Sequence, residues 1–390
     1  MKARLAYWAA PVGVVVIIAG LMAFSSRAQA DPALPDLTAE QLVANVAAAQ
    51  PPAFSGTVAV TTNVGLPDIS SLQSLLGPQV GGLASLLGGT TQVKVAVDPA
   101  AGARAEIDSD TSAWVAVANV ANKDGWLYVS DSNSATHLIA TAPASTGDSS
   151  DTPGDATTPL TPAGLADQLI TAASPSTTFT VGRNTTVAGR AAYTLTLAPK
   201  DSGSLISSVD VTIDADTWMP LGVDIWSTQL AGQAAFSAQF TSISYSTPAA
   251  SLFDFTAPPG ATVDTVNLGQ QSDANDQTNS APAANPSAKV VAGQGWASVV
   301  EVTGLPSDLA TALADPSQLA GILGGNAGDG NGANHRSVGA LSQLLGSVTQ
   351  QTAQGTVYST YLGSVLVTPD GTVFAGAVPA SSLEAAAGGN

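Results

Sequence analysis

Residues 64 to 89 read VGLPDISSLQSLLGPQVGGLASLLGG and come directly after an alternating stretch, Phe54 to Thr61, in which Val58 and Val60 share a parity. A strand that should turn back within a few residues instead enters a long Leu-rich insert broken by Gly and Pro. Loops beyond about 12–15 residues without a pattern of their own are uncommon in compact domains and are usually functional. Leu72, Leu75, Leu76, Leu83, Leu86 and Leu87 fall at mostly helical spacing, which predicts one or two short amphipathic helices that must cover something apolar. An apolar lid on a β-sheet implies a greasy cavity. The same insert would also serve as a fixed plug, but Gly65, Pro67, Gly77, Pro78, Gly81, Gly82, Gly88 and Gly89 supply hinges and favour a lid.

Strand patterns continue outward from this insert. Upstream, Thr38 caps a helix whose Leu42, Val43 and Val46 form one face, ending before Pro51-Pro52. Downstream come Thr91 to Val97, Ala103 to Ile107, Trp114 to Val117 and Gly125 to Val129, with Trp126 and Tyr128 sharing a face. The Ser/Thr/Pro/Asp-rich residues 141 to 160 cannot bury a core and form a surface insert. Thr161 and Pro162 open a second short helix. Strands return at Thr177 to Val181, Arg190 to Leu197, Ile206 to Ile213, Pro220 to Trp226 and Ala234 to Tyr245. In the last of these, Phe236, Ala238 and Phe240 hold one parity while Ile243 and Tyr245 hold the other. That phase change predicts a β-bulge and a strongly curved sheet.

Residues 266 to 290 are polar and without periodicity and read as a linker. Beyond it, Trp296 to Val302 reads as a strand, Ser307 to Ala314 and Val338 to Gln350 as helices, and Tyr358 to Val367 with Thr372 to Val378 as a hairpin around Pro369-Asp370-Gly371, with Ser381 to Ala387 as a closing helix. The expected organisation is therefore residues 1–30 as a targeting segment, 31–265 as a first domain, 266–290 as a linker and 291–390 as a smaller α+β unit.

The targeting segment consists of Lys2 and Arg4, an apolar run from Leu5 to Phe24, and Ala28-Gln29-Ala30 as a small-residue cleavage site. It reads as a secretory signal, or as an uncleaved anchor, since the run is about the 20 residues a membrane helix needs. Either reading places the rest of the chain outside the cytoplasm, secreted or held at the membrane by residues 5–24. The chain has no cysteine, so neither disulfides nor a lipidated cysteine can hold it, and its stability must come from an ordinary core. Its 11 basic and 29 acidic residues give a net charge of −18, which argues against nucleic acid or an anionic membrane surface as an electrostatic partner.

Signals for catalysis are few. His137 and His335 are the only histidines and each reads as a surface or hydrogen-bonded side chain. The chain contains no G-x-S-x-G elbow, H-E-x-x-H, P-loop or S-x-x-K motif. Zinc would need Cys or clustered His, and the Asp/Asn groups near 273 and 329 lack calcium-loop spacing. No cofactor, metal or catalytic residue is assigned.

Three stretches together carry a family resemblance: Val187-Ala-Gly-Arg190 with Tyr193, Leu195 and Leu197; Ile213-Asp-Ala-Asp-Thr217 with Pro220-Leu221; and Phe253-Asp-Phe255 with Pro258-Pro-Gly-Ala261 and Val263. With the order helix, β-rich run, apolar insert and further strands, residues 36 to 265 resemble the LolA/RseB-like superfamily of envelope proteins. The tail resembles, more loosely, the small C-terminal part of RseB-type proteins. The resemblance implies an α+β fold, a curved antiparallel half-barrel with short helices lidding its concave face. It also implies binding of lipid, acyl chains or lipoproteins, or restraint of an anti-sigma factor by an envelope sensor.

On that frame, the alternating apolar residues give a cavity wall of Val58, Val60, Val95, Trp114, Trp126, Leu195, Val211, Ile225 and Phe240, with Leu72, Leu75, Leu76 and Leu86 on the lid. The bland reading of the same residues is a filled core, because alternation identifies a buried face without saying whether it is hollow. The functional expectation is non-catalytic binding of lipid, acyl chains or lipoproteins. A regulatory module that binds a membrane-protein partner is the alternative. An enzyme built on a buried carboxylate pair is a third reading.

Overall fold

The computed structural model describes residues 32–66, 88–108, 113–140, 173–268, 287–315, 317, 318, 346 and 348–389. The signal segment, the lid residues Leu72, Leu75, Leu76 and Leu86, the 141–160 insert, the short helix near 161 and His335 lie outside them.

Thr38 caps helix α1 (Ala39–Ala48) through a reciprocal pair: the Gln41 N–H donates to the Thr38 hydroxyl at 3.2 Å, and the Thr38 N–H donates to the Gln41 side chain at 2.9 Å. Two of the donors orphaned at a helix start are thereby satisfied. Leu42 on the inward face is fully buried.

After α1 come the strands β1 (Phe54–Thr62), β2 (Gly89–Asp98), β3 (Gly102–Asp108), β4 (Ala113–Asn119), β5 (Asp124–Val129), β6 (Ser134–Ala140), β7 (Thr177–Val181), β8 (Thr185–Val187), β9 (Arg190–Pro199), β10 (Ile206–Asp214), β11 (Pro220–Ser227), β12 (Phe236–Ser244) and β13 (Thr262–Leu268). They form one 13-stranded sheet in the order β13-β6-β5-β4-β3-β2-β1-β12-β11-β10-β9-β7, with β8 pairing β9 off that path. Its ends do not pair with each other, so the sheet is curved and open rather than a closed barrel. β1 to β6 form a meander of antiparallel neighbours. β13 lies parallel to β6, Thr262 against Ser134 through Leu268 against Ala140.

The bend anticipated in the last long strand is present. Thr57 faces Ser242 but Val58 faces Phe240, which leaves Thr241 as the extra residue. The bulge absorbs the change of parity, so Phe240, Phe236, Ile243 and Tyr245 all pack against one apolar cluster. Gly56 stands beside this kink, where a Cβ would collide with the Ser242 carbonyl oxygen and meet the Phe240 ring at 3.0 Å.

The second sheet has six antiparallel strands: β14 (Ser287–Ala292), β15 (Val299–Thr303), β16 (Thr349–Gln351), β17 (Thr356–Ser359), β18 (Ser364–Val367) and β19 (Val373–Gly376), in the order β14-β15-β19-β18-β17-β16. Helix α2 (Ser307–Ala314) precedes β16, and α3 (Ala380–Gly388) buries Leu383 among Val299, Val357, Leu366, Phe374 and Val378.

The structure departs from the sequence reading at several places. The stretch read as a linker, 266–290, is strand at both ends: β13 runs through Leu268 and β14 begins at Ser287. Backbone ladders to β6 and β15 hold these residues. Trp296 sits in a single 3₁₀ turn, Gly295–Ala297, before β15. The expected strand Tyr358–Val367 is two strands, because the Thr360 N–H donates to the Gly363 carbonyl at 2.9 Å and turns the chain. Thr349 and Gln350, read as the end of a helix, belong to β16 and pair with β17.

The two sheets are joined by specific hydrogen bonds. The Leu205 N–H donates to the Ala377 carbonyl at 2.7 Å and the Tyr361 N–H to the Val64 carbonyl at 2.9 Å. The Ser227 hydroxyl donates to the Tyr361 carbonyl at 2.6 Å, and the Trp296 indole to the Thr177 hydroxyl at 2.7 Å.

Candidate functional site

Strand register decides which side chains share a face, because residues directly opposite one another point the same way and neighbours along a strand alternate. One row crosses the sheet through Phe240, Val58, Val93, Ile107, Trp114 and Val129. A second runs from Val60 through Ala238, Val223 and Val211 to Leu195 and Val181. A third joins Phe236, Ile225, Val209, Leu197 and Phe179. Val58 and Val60 are two apart in β1, as are Val223 and Ile225 in β11, so all three rows lie on one face.

Eight of the nine expected wall residues stand on that face: Val58, Val60, Val95, Trp114, Leu195, Val211, Ile225 and Phe240. Their environments differ. Val58 is 0% and Phe240 3% exposed, and they share one core cluster with Val60, Val95 and Trp114. Leu195 is buried in another cluster, with Tyr193, Ile213 and helix α1. Val211, Val223 and Ile225 are only half-buried. The face therefore grades from a filled region over β1–β4 to a partly open apolar strip on β10 and β11.

Trp126 is the exception. It pairs with Val117, three residues from Trp114, and so lies on the opposite face. There it stacks on His137 with ring centroids 4.1 Å apart and packs against Phe255 at 5.4 Å. His137 Nε2 is 2.9 Å from the Asp124 carboxylate, so this histidine is a hydrogen-bonded surface group. The alternation within β5 is correct, but its phase relative to β4 is set by the turn between them, which periodicity does not give.

Over β10 to β12 the opposite face is polar. On it Asp210 and Asp224 stand directly across from each other on β10 and β11. Asp210 accepts hydrogen bonds from Thr196 at 2.6 Å and from the Trp226 indole at 2.8 Å, and Asp224 accepts from Ser237 and from Gln239. Burial pushes the Asp224 carboxyl up from its usual range and the charge of Asp210 adds to the effect, against the pull of the two donors. An open cleft of about 470 Å³ lies on the same side near the bulge, bordered by Lys94, Arg104, Glu106, Ser242 and Leu252. Those charges are already paired, Lys94 with Asp108 and Glu106, Arg104 with Glu106. Among the described residues no group of three or more His, Cys, Asp or Glu could hold a metal ion.

Two of the three stretches that carry the family resemblance meet at one end of the large sheet, while the third, around Phe255 and Val263, lies at the other, against β5 and β6. The Arg190 guanidinium pairs with Asp214 and, at 3.0 Å, with Asp216, and lies 4.7 Å from the centre of the Tyr245 ring. The Tyr245 hydroxyl donates to Asp214 at 3.0 Å, and the Thr217 hydroxyl donates to Tyr245 at 3.0 Å. Burial would raise the Asp214 carboxyl, but Arg190, the N–H groups of Asp216 and Thr217, and Tyr245 outweigh it and hold it low. The network fastens the β8–β9 and β10–β11 tips to the end of β12 and so fixes the curl of the sheet.

No family model matches the chain, and no curated protein sequence does. Solved structures with a similar fold include MucB of Pseudomonas aeruginosa in complex with MucA, at 16% identity and a TM-score of 0.39, covering 90% of this chain and 96% of that one. A LolA superfamily protein of Nitrosomonas europaea matches at 11% identity and a TM-score of 0.21, covering 56% of this chain and 99% of that one. A putative outer membrane lipoprotein-sorting protein domain from Vibrio parahaemolyticus matches at 10% and 0.19, covering 51% and 88%. At such identities and TM-scores these likenesses carry no argument, and function has to be sought in this chain's own residues.

Sequence reasoning missed Tyr245 as a partner of Asp214, the Asp210–Asp224 pair and the contact of Val64 with Tyr361. The carboxylates were visible only as polar residues inside alternating strands, at a parity where polar residues are expected to face solvent, and Tyr245 only as an apolar partner of Ile243.

Proposed function

We propose that this protein binds lipid, acyl chains or lipoproteins at the cell envelope, without catalysis, on the apolar face of its large sheet. The observation that carries the reading is the set of three continuous apolar rows on one face of an open sheet, part of it still half-exposed on β10 and β11. Burying a methylene there returns about 0.8 kcal/mol, so a long chain laid on this face would gain with every carbon it buries. Residues 1–30 would export the chain, and the 64–89 insert would act as the lid.

The test is native mass spectrometry of the exported protein after exposure to vesicles containing a pyrene-labelled phospholipid, with the label followed by fluorescence. Wild type should carry a stoichiometric acyl-bearing adduct, and Ile225→Asp, at a half-buried wall position, should lose it while remaining folded. No adduct and no label uptake by wild type would sink the reading.

One observation favours a regulatory variant of the same function. The Tyr361 N–H of the small sheet holds the Val64 carbonyl at the root of the insert, so a change in the insert would reach the small unit directly. In this variant ligand binding would alter the affinity of the small unit for a membrane-protein partner such as an anti-sigma factor.

A further inference from the structure

We infer that the indole N–H of Trp114 anchors a neutral carbonyl oxygen of the bound lipid, so that the apolar face selects ester- or amide-linked acyl chains over chains that lack such an acceptor. The inference rests on the lipid-binding reading above. Trp114 is 9% exposed, and its Nε1 is buried with no hydrogen-bond partner among the described residues. Buried donors are nearly always paired, and one that is not calls for an explanation. The indoles of Trp226 and Trp296 show the ordinary case, donating to Asp210 at 2.8 Å and to Thr177 at 2.7 Å.

The neighbours of Trp114 in its row are Ile107 and Val129, which offer nothing to accept. The row turns polar one strand further on, where Val129 faces Ser134. In the other direction it stays apolar through four strand spacings to Phe240, about 19 Å. A chain lying along the row would therefore have its polar end near Trp114.

The donor also specifies the charge of what it takes. An indole N–H is neutral and donates only. The cations of the adjoining strands, Lys94 and Arg104, lie on the opposite face, since Lys94 alternates with Val93 and Val95, and Arg104 with Ala105. A carboxylate or phosphate buried beside Trp114 would have no counter-charge from these strands, whereas an ester or amide carbonyl needs none.

The test compares 1-monopalmitoylglycerol with 1-O-hexadecylglycerol, which differs by the missing carbonyl, as competitors for a bound pyrene-labelled phospholipid. Wild type should prefer the ester about tenfold, and Trp114→Phe should bind the ester only as well as the ether. In wild type labelled with ¹⁵N-tryptophan, one indole resonance should shift with the ester and not with the ether. Failure of both competitors and of the labelled lipid to bind wild type overturns the lipid reading and this inference with it. Equal binding of ester and ether by wild type, or an ester preference retained in Trp114→Phe, overturns the inference alone. Should Trp114→Phe not fold, the wild-type resonances decide: no shift with bound ester overturns it.

Discussion

Asp210 and Asp224 face each other across β10 and β11, two carboxylates in direct register on the polar side of the sheet whose other side carries Val211 and Val223. Like charges placed opposite each other destabilise a sheet, and here the surrounding donors keep both in place.

Acid stability should carry the mark of this pair. The Asp224 carboxyl is raised in the folded protein, first by burial and then by Asp210. Its folded state therefore holds a proton that the unfolded chain gives up, and this group's contribution to stability grows as the pH falls from neutrality through the raised value toward the ordinary one. Asp224→Asn should raise the urea midpoint at pH 7 and remove that gain on acidification. A lower midpoint at pH 7 would contradict the assignment.

Asp214 works with the opposite sign. Its carboxyl is held low, so the stability it contributes is present above the ordinary carboxylate value near 3.8 and is lost as the pH falls through the lowered one. Arg190→Met would leave a fully buried carboxylate without its cation. The cost should be about 3 kcal/mol, toward the low end for a buried pair because the guanidinium is partly exposed. Thermal denaturation of the variant beside wild type measures it, and a loss near zero would show that the network adds nothing to stability.

Tyr245 gives an alkaline counterpart. Burial, followed by its contacts with Asp214, pushes its hydroxyl up to about 12. The unfolded chain loses this proton earlier, so stability should fall as the pH rises from about 10 toward 12. Burial raises Tyr358 as well, so ultraviolet titration should find more than one late-titrating tyrosine, and Tyr245→Phe should abolish the one at about 12.

At the bulge, Gly56→Ala should destabilise by about 1–3 kcal/mol, because the added methyl group meets the Ser242 carbonyl and the Phe240 ring. Equilibrium unfolding reads the change directly. A neutral outcome would mean that β1 and β12 separate there at little cost.

Helix α1 is fixed chiefly by Leu42, which is fully buried against Tyr193, Leu195 and Ile213. Leu42→Ala should cost about 2–5 kcal/mol, while Leu42→Met should cost less than about 1.5 kcal/mol. Comparable losses for both would place the side chain somewhere other than a close-packed core.

The sequence by itself determined what depends on neighbours a few residues away. The Thr38 cap, most strand positions and the bulge in β12 arise from side-chain chemistry and from periods of 3.6 and 2, and the parity switch between Phe240 and Ile243 located the bulge closely. Only the tertiary structure decided matters of register across turns and of contact between distant strands. Alternation says that Trp126 and Tyr128 share a face, but pairing with Val117 puts that face opposite Trp114. The parallel partner of β13 lies more than a hundred residues away in the chain, and Arg190, Asp214 and Tyr245 come together only when the sheet curls. The physical reason is that alternation is a property of one strand's backbone, whereas the phase between strands and the side of the sheet that fills are fixed by hydrogen-bond ladders and burial between residues far apart in sequence.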